Sequence, residues 1–180
     1  MPSRAHLSKP SCPRLPRSYL IKIFAAAGLL FVAVPLVHPG VPQLIYNASA
    51  SLPIGYYQRA YDPKPLAIGD IVFVRTPESV RDLADKRRYL PRNVPMIKRV
   101  SALSGDIVCA SGARVSVNDE APVLRLNSDR LGRPLPWWQG CRRLTSDEVF
   151  LMNANAPLSF DGRYFGVVKK EQILAKLKPL

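Results

Sequence analysis

The longest apolar stretch of the chain lies near its N-terminus, between residues 23 and 46, where no Asp, Glu, Lys or Arg occurs. Its beginning is almost wholly apolar, and with the residues just before it the stretch reaches the roughly 20 positions that a bilayer core requires. Prolines between residues 35 and 42 predict a helix end near His38, because an interior proline removes a helix hydrogen bond. The pattern therefore predicts a transmembrane helix over residues 19–38.

Two other interpretations of this stretch are a cleaved signal peptide and a buried core helix. Ala48-Ser49-Ala50 has the small residues of a signal-peptide cleavage site, but it lies about a dozen residues beyond the apolar run, with prolines between. A core helix of a soluble protein needs a polar face, and this stretch has none. A retained membrane anchor is therefore favoured.

Beyond this stretch the pattern changes to short β-branched or aromatic runs bounded by Gly and Asp turns, which is typical of strands. Such runs occupy residues 70–75, 96–100, 106–109, 114–117 and 148–152. Helical spacing of apolar residues predicts one helix at 77–90, with Thr76 as its N-terminal cap, and a second that starts at Lys170. The sequence predicts a mainly β fold, a coiled sheet or barrel with one or two short helices.

The formal net charge is +13, and its distribution indicates an orientation. Residues 1–22 hold basic residues and no acidic one, whereas all 13 acidic residues lie from Asp62 onward. The positive-inside rule then predicts a cytoplasmic tail at residues 1–18 and an extracytoplasmic domain at residues 39–180. Anionic lipid headgroups account for the basic balance better than nucleic acid does, because the chain has no aromatic-plus-basic motif of a nucleic-acid module.

Cysteine positions agree with that topology. Cys12 falls in the predicted cytoplasmic tail, and Cys109 and Cys141 are the only cysteines beyond the apolar stretch. An even number of cysteines in a compartment that favours disulfides predicts that these two pair; the alternative is two separate buried thiols. No His, Cys or carboxylate cluster has the spacing of a metal site, so we expect neither a metal nor another cofactor.

Histidine usage restricts the chemistry. His6 and His38 are the only histidines, so a Ser-His-Asp triad in the outer domain has no histidine of its own to use. Lysine is the known alternative base for a serine nucleophile. Lys98 is a candidate, because in a strand it shares a face with apolar Met96 and Val100, and desolvation lowers the pKa of an amine. The alternative is a solvated lysine on an edge strand.

Ser51 is a weak candidate by itself, since serines near Pro and Gly usually form turns. Its segment, residues 47–57 (NASASLPIGYY), nevertheless resembles the nucleophile segment of the S26 signal peptidases, in the Ser-x-Pro-x-Gly-x-Tyr form of the conjugal-transfer TraF-type branch. Residues 69–74 (GDIVFV) are similar to the strand that follows in that family, residues 97–100 (IKRV) to its lysine box, and residues 159–166 (SFDGRYFG) to its final box. The four motifs occur in the order of the family.

The resemblance, which covers the apolar stretch and the chain after it, implies roles for individual residues. It implies Ser51 as nucleophile, Lys98 as general base and Asp161 as a group that orients them, with Arg163 as the structural ion-pair partner of Asp161. It also implies that the Ser49 hydroxyl joins the backbone N–H of Ser51 in an oxyanion hole. The alternative for Asp161 and Arg163 is a purely structural salt bridge.

Some positions depart from the family pattern. Ala102 and Ser104 stand where the lysine box usually has Gly and then Pro or Gly. Asn153 and Ala154 stand where leader peptidases have Gly-Asp. These departures favour a specialised branch over a housekeeping leader peptidase.

The resemblance implies a Ser/Lys endopeptidase anchored in the bacterial inner membrane, with its catalytic domain in the periplasm. Its expected partners are a precursor polypeptide, of the conjugative pilin type, and membrane lipid, with cleavage or cyclisation of the precursor left open. One alternative is a non-catalytic, membrane-tethered component of a conjugation or secretion apparatus. A weaker one is a cytoplasmic nucleic-acid-binding module.

Overall fold

The computed structural model describes residues 16–37, 42–61 and 64–180 and divides the chain into two compact units, residues 1–40 and 41–180. In the first unit the described residues form one helix, α1 (Arg17–Val37). The predicted tail up to residue 15 and the predicted helix end at His38 lie outside the described residues.

Within the described ranges, no helix combines the length and the hydropathy that crossing a membrane requires.

The second unit is mainly β, as the sequence predicts. Its elements in chain order are β1 (Leu44–Asn47), β2 (Gly55–Ala60), β3 (Ile71–Val74), α2 (Glu78–Lys86), β4 (Met96–Ala102), β5 (Ile107–Ser111), β6 (Arg114–Val117), β7 (Val123–Leu124), β8 (Gly140–Arg143), β9 (Glu148–Leu151), α3 (Gly162–Phe165), β10 (Val168–Lys169), a 3₁₀ turn (Lys170–Gln172) and β11 (Ile173–Pro179).

Two antiparallel sheets organise this unit. The larger has seven strands in the order β1-β2-β11-β3-β4-β9-β10, and the smaller has four in the order β7-β6-β5-β8. One apolar cluster covers β3, β4 and β9, and includes Val72, Met96 and Val100. A second joins the small sheet to β9, through residues such as Val115 and Phe150.

The strands that period and turn signals predict are all present. The runs at 70–75, 96–100, 106–109, 114–117 and 148–152 correspond to β3, β4, β5, β6 and β9. In β4 the Arg99 side chain is exposed between buried Lys98 and Val100, but residues 96–98 and the whole of β9 are buried without alternation. The agreement therefore follows from the β-branched and aromatic runs and the turns that bound them, not from a period of two.

The prediction of a second helix from Lys170 is wrong. The chain makes a 3₁₀ turn at Lys170–Gln172 and continues as strand β11, which pairs with both β2 and β3. Ile173, Leu174 and Leu177 have helical spacing, but the two neighbouring strands offer backbone partners on both edges of this segment. Tertiary pairing therefore overrides the local pattern.

The helix predicted at 77–90 is present but shorter. It ends at Lys86, with Arg87 as its C-cap, and Pro77 occupies the N-cap position without a side-chain hydrogen bond. The prediction of Thr76 as the cap is therefore wrong. The Thr76 hydroxyl is buried and has no hydrogen-bond partner within the described part of the chain.

The predicted disulfide is present. Cys109 in β5 and Cys141 in β8 face each other directly in the strand register and are bonded. The bridge ties the edge strand of the small sheet to its centre and closes the segment that carries Trp137 and Trp138.

Candidate active site

Lys98 lies in the middle of β4, opposite Val72 of β3, with only 5% of its surface exposed. Met96 and Val100, two residues to either side, belong to the buried cluster between the strands. The alternative of a solvated edge-strand lysine is therefore excluded. Burial lowers the pKa of Lys98 to about 8, since few groups nearby replace the water that solvates an ammonium; Asp161 opposes this shift and Arg163 adds to it.

The Lys98 amine has a hydroxyl partner that sequence reasoning did not assign. Its Nζ donates a hydrogen bond to Oγ of Ser159 over 3.1 Å, and both side chains are buried. Ser159 is the first residue of the final motif, two positions before Asp161. Its place in that motif is the sequence signal by which Ser159 could have been identified. Only the fold, however, shows that a residue 61 positions away reaches Lys98.

Asp161 and Arg163 form an ion pair with no exposed side-chain surface on either residue. Both carboxylate oxygens are used: Oδ1 accepts from Arg163 Nε and Oδ2 from Arg163 Nη2, each over 2.9 Å. The remaining hydrogen bonds go to backbone, since Asp161 accepts from Asn153 N and Arg163 donates to the carbonyls of Ala156 and Ser159. A buried pair with this many partners holds the turn around Ser159 in one conformation.

Gly162, the first residue of α3, has no room for a side chain. A Cβ there would lie 2.6 Å from the carbonyl oxygen of Leu151 and 2.7 Å from the ring of Phe150. Glycine therefore lets α3 pack directly on β9, which brings Asp161 and Ser159 towards β4, the neighbour of β9.

The segment between β7 and β8 is hydrogen-bonded to α3. Arg125 is buried, stacks on Trp137 at 4.3 Å and donates to the Arg163 carbonyl over 2.9 Å. Trp138 Nε1 donates to the Gly162 carbonyl over 2.8 Å, and the Tyr164 hydroxyl accepts from Leu126 N. The disulfide-bonded part of the molecule thus supports the turn that holds the Lys98 partner.

We call Lys98, Ser159, Asp161 and Arg163 the lysine pocket. We call residues 48–54, between β1 and β2, the nucleophile loop.

Ser51 lies in the nucleophile loop and is half-buried. Its Oγ is hydrogen-bonded to Oγ of Ser49 over 2.9 Å. The loop is followed by Gly55, the first residue of β2, whose φ of +150° favours glycine. The structure thus places the hydroxyls of Ser49 and Ser51 in contact.

The nucleophile loop packs on the strand that carries Lys98. Leu52, next to Ser51, lies in the same apolar cluster as Ile97, the residue before Lys98 in β4. Among the hydrogen bonds of the described residues, however, Ser51 is joined to Ser49 and Lys98 to Ser159. A hydrogen bond between Ser51 and Lys98 is not one of them.

Asn153, one of the departures from the family pattern, also belongs to this region. Its Oδ1 accepts from Arg99 N over 2.9 Å, and its Nδ2 is buried without a partner within the described ranges. The side chain therefore bonds to β4 next to Lys98, while the backbone N–H of Asn153 donates to Asp161.

Comparisons with known proteins give consistent results. A family model described as signal peptidase, peptidase S26, matches residues 17–180. A plasmid transfer protein TraF of Escherichia coli is 34% identical over 144 residues, which cover 74% of this chain and 80% of that protein. A probable conjugal transfer protein TraF of Sinorhizobium fredii is 35% identical over 71% of each chain. A signal peptidase I of Leptolyngbya laminosa is 25% identical over 65% of this chain and 53% of its own length.

Proposed function

The chain belongs to the S26 signal peptidase family, and from this membership we propose that it is a serine endopeptidase with Ser51 as nucleophile and Lys98 as general base. The observation that carries the proposal is the environment of Lys98. An amine with a pKa of about 8 is neutral in about one molecule in five near physiological pH, against roughly one in a thousand at the ordinary value of 10.5, and only a neutral amine accepts a proton. A lysine without a catalytic role gains nothing from such burial, because desolvating an ammonium costs stability.

In the proposed reaction, Lys98 takes the Ser51 proton as Ser51 Oγ attacks a peptide carbonyl. The oxyanion accepts hydrogen bonds from the Ser51 backbone N–H and the Ser49 hydroxyl, and the protonated Lys98 then supplies the leaving amine with its proton. Water or an amine of the substrate releases the acyl group from Ser51. Ser159 orients the Lys98 amine, while Asp161, paired with Arg163, holds the turn that carries Ser159.

We further propose that the apolar stretch of residues 19–38 anchors the enzyme in the bacterial inner membrane and that the domain after it faces the periplasm. The basic, acid-free flank before α1 supports this orientation. Phe24, Leu29 and Phe31 of α1 expose more than two thirds of their side chains, which favours a lipid or protein environment over water. The relatives named for plasmid and conjugal transfer support a precursor of a conjugative pilus subunit as substrate.

The test is cleavage of internally quenched peptides that carry Ala, Ser or Gly before the scissile bond, by the full chain in detergent. Ser51→Ala should reduce the rate to background, whereas the control Ser111→Ala, at the exposed end of β5, should retain it. The wild-type kcat/KM should rise with pH with an apparent pKa near 8, as Lys98 loses its proton. Equal cleavage by a folded Ser51→Ala variant would instead favour a non-catalytic component of a transfer apparatus.

Two further measurements address the location and the product. A reporter that is active only in the periplasm, fused after Leu180, should be active; an inactive reporter contradicts the proposed orientation. In cells that supply a pilin precursor, the mass of the mature product separates hydrolysis from cyclisation, because a cyclic product is lighter by one water.

A further inference from the structure

Asn47 is the last residue of β1 and only 5% of its surface is exposed. Its side chain makes five hydrogen-bond contacts with the nucleophile loop. The amide Nδ2, whose two protons are shared among three acceptors, lies 3.0 Å from the Ser49 carbonyl, 3.1 Å from that of Leu52 and 3.0 Å from that of Pro53. Carbonyls on both sides of Ser51 thus converge on one amide, which fixes the backbone on either side of Ser51.

The three carbonyls also determine which end of the Asn47 amide is oxygen. Carbonyls only accept hydrogen bonds, so the end that faces them is the NH₂ group and Oδ1 faces Ser49. Oδ1 accepts from Ser49 N over 3.1 Å and from Ser49 Oγ over 2.9 Å.

This assignment orients the two serine hydroxyls. A hydroxyl has one proton, and that of Ser49 is donated to Asn47 Oδ1. In the 2.9 Å hydrogen bond between Ser49 and Ser51, Ser49 is therefore the acceptor and Ser51 the donor. The resting protons run in one direction, from Ser51 to Ser49 to Asn47.

We propose that Asn47 is a positioning residue for the peptidase reaction, which holds the nucleophile loop and sets the direction of the Ser51–Ser49 hydroxyl chain. The inference rests on the proposed function. Asn47 touches no substrate and acts through Ser49. In the reaction, Ser49 donates to the oxyanion and Ser51 donates to Lys98. Both hydroxyls therefore turn away from their resting hydrogen-bond partners when a substrate carbonyl arrives, while the Asn47 amide keeps the loop in place.

The main test compares Asn47→Ala, Ser49→Ala and the double variant, using kcat and KM for the peptide that the wild type cleaves best. We expect Asn47→Ala to lower kcat on the order of 10²-fold with little change in KM, because a displaced nucleophile costs rate more than binding. If Asn47 acts through the Ser49 hydroxyl, the loss in the double variant is smaller than the product of the two single losses, by about 5-fold or more. A loss of kcat in the double variant equal to the product of the two single losses would overturn the proposal, even if residues 48–54 exchange faster.

Hydrogen–deuterium exchange of residues 48–54 provides a readout independent of catalysis. Asn47→Ala should accelerate exchange in the nucleophile loop, and unchanged exchange would also overturn the proposal. The matched control is Asn118→Gly, which removes an asparagine that bonds to Ile107 N and Asp106 in the small sheet. This control should change neither kcat nor loop exchange; glycine is chosen because Asn118 has a φ of +49°.

Asn47→Asp is the second variant in case Asn47→Ala does not fold. It keeps the oxygen that faces Ser49 but removes both N–H donors, so the same loss of kcat and faster loop exchange are expected. Failure of the proposed function is recognised separately. In that case the wild type and Ser51→Ala behave alike on every peptide, while the exchange comparison still decides whether Asn47 holds the loop.

Discussion

The nucleophile loop and the lysine pocket hold their reactive groups in opposite ways. Ser51 is half-buried, and the hydrogen bonds that hold its loop come from Asn47 and Tyr57, which border the loop. Lys98 is buried, and its partner Ser159 lies 61 residues away in the chain. The loop depends on neutral hydrogen bonds, whereas the pocket depends on a desolvated amine beside a buried ion pair.

The difference agrees with the roles proposed for the two groups. A serine nucleophile must be reachable by a peptide, and an exposed loop held by a local amide meets that requirement. A lysine base must lose solvent, because water stabilises the ammonium and raises its pKa. Only packing from several strands excludes water in this way. Substitutions in the two regions should therefore differ in size and in pH dependence.

Replacing the base should have the largest effect. Lys98→Met keeps the apolar stem and should lower kcat/KM by at least about 10²–10⁴-fold. The same change should alter stability. Between pH 8 and 10.5 the unfolded state holds the lysine proton and the folded state does not, so the free energy of unfolding of the wild type rises with pH. The rise is about 3 kcal/mol, and Lys98→Met should remove it.

Urea unfolding at pH 7, 8, 9 and 10 measures this difference. Lys178→Met, on an exposed position of β11, is the matched control and should keep the wild-type slope. A slope that persists in Lys98→Met would show that Lys98 is not the source of the pH dependence.

Breaking the buried ion pair should have the next largest effect. Arg163→Met leaves the Asp161 carboxylate buried and unpaired, which should lower the free energy of unfolding by about 3–5 kcal/mol. The control Arg92→Met removes an exposed partner of Asp82 and should cost no more than about 1 kcal/mol. Equal losses in the two variants, measured by urea unfolding, would mean that the pair does not hold the pocket.

The smallest effect on stability is expected for a hydrogen bond of the nucleophile loop. The buried Tyr57 hydroxyl donates to the Pro53 carbonyl over 2.8 Å. Tyr57→Phe should therefore cost about 1 kcal/mol of stability and accelerate exchange in residues 48–54. Tyr56→Phe, on the exposed neighbour, should do neither. If Tyr57→Phe costs as much as Arg163→Met, the proposed contrast between loop and pocket is wrong.

Much of this fold was predictable because its strands carry local signals. β-branched runs between Gly and Asp turns identified β3, β4, β5, β6 and β9, and an even cysteine count beyond the apolar stretch predicted the Cys109–Cys141 bridge. Strand β11 was not predictable in this way. Its helical spacing is a local property, whereas its strand conformation depends on β2 and β3, which are far away in sequence.

The residues of the candidate site also fall into two groups, those that local sequence motifs predicted and those that only the fold revealed. The motifs place Ser51, Lys98, Asp161 and Arg163 in order, and the structure pairs the last two. Ser159 and Asn47 received no role from sequence, because a hydroxyl or amide gives no signal of its own until its partners are known. For Asn47 those partners lie within six residues, so the information that identifies it is local to the loop.

The sequence by itself determined which chemistry is possible. Residues 41–180 contain no histidine, so lysine is the available base for a serine nucleophile there, and the motif order implies which lysine and which serine. Only the tertiary structure decided that Lys98 has the burial that the proposed role of base requires. Its lowered pKa and its contact with Ser159 arise because β3, β9 and the turn before α3 remove water from around it. Desolvation depends on every group packed around a charge, and those groups come from segments far apart in the chain.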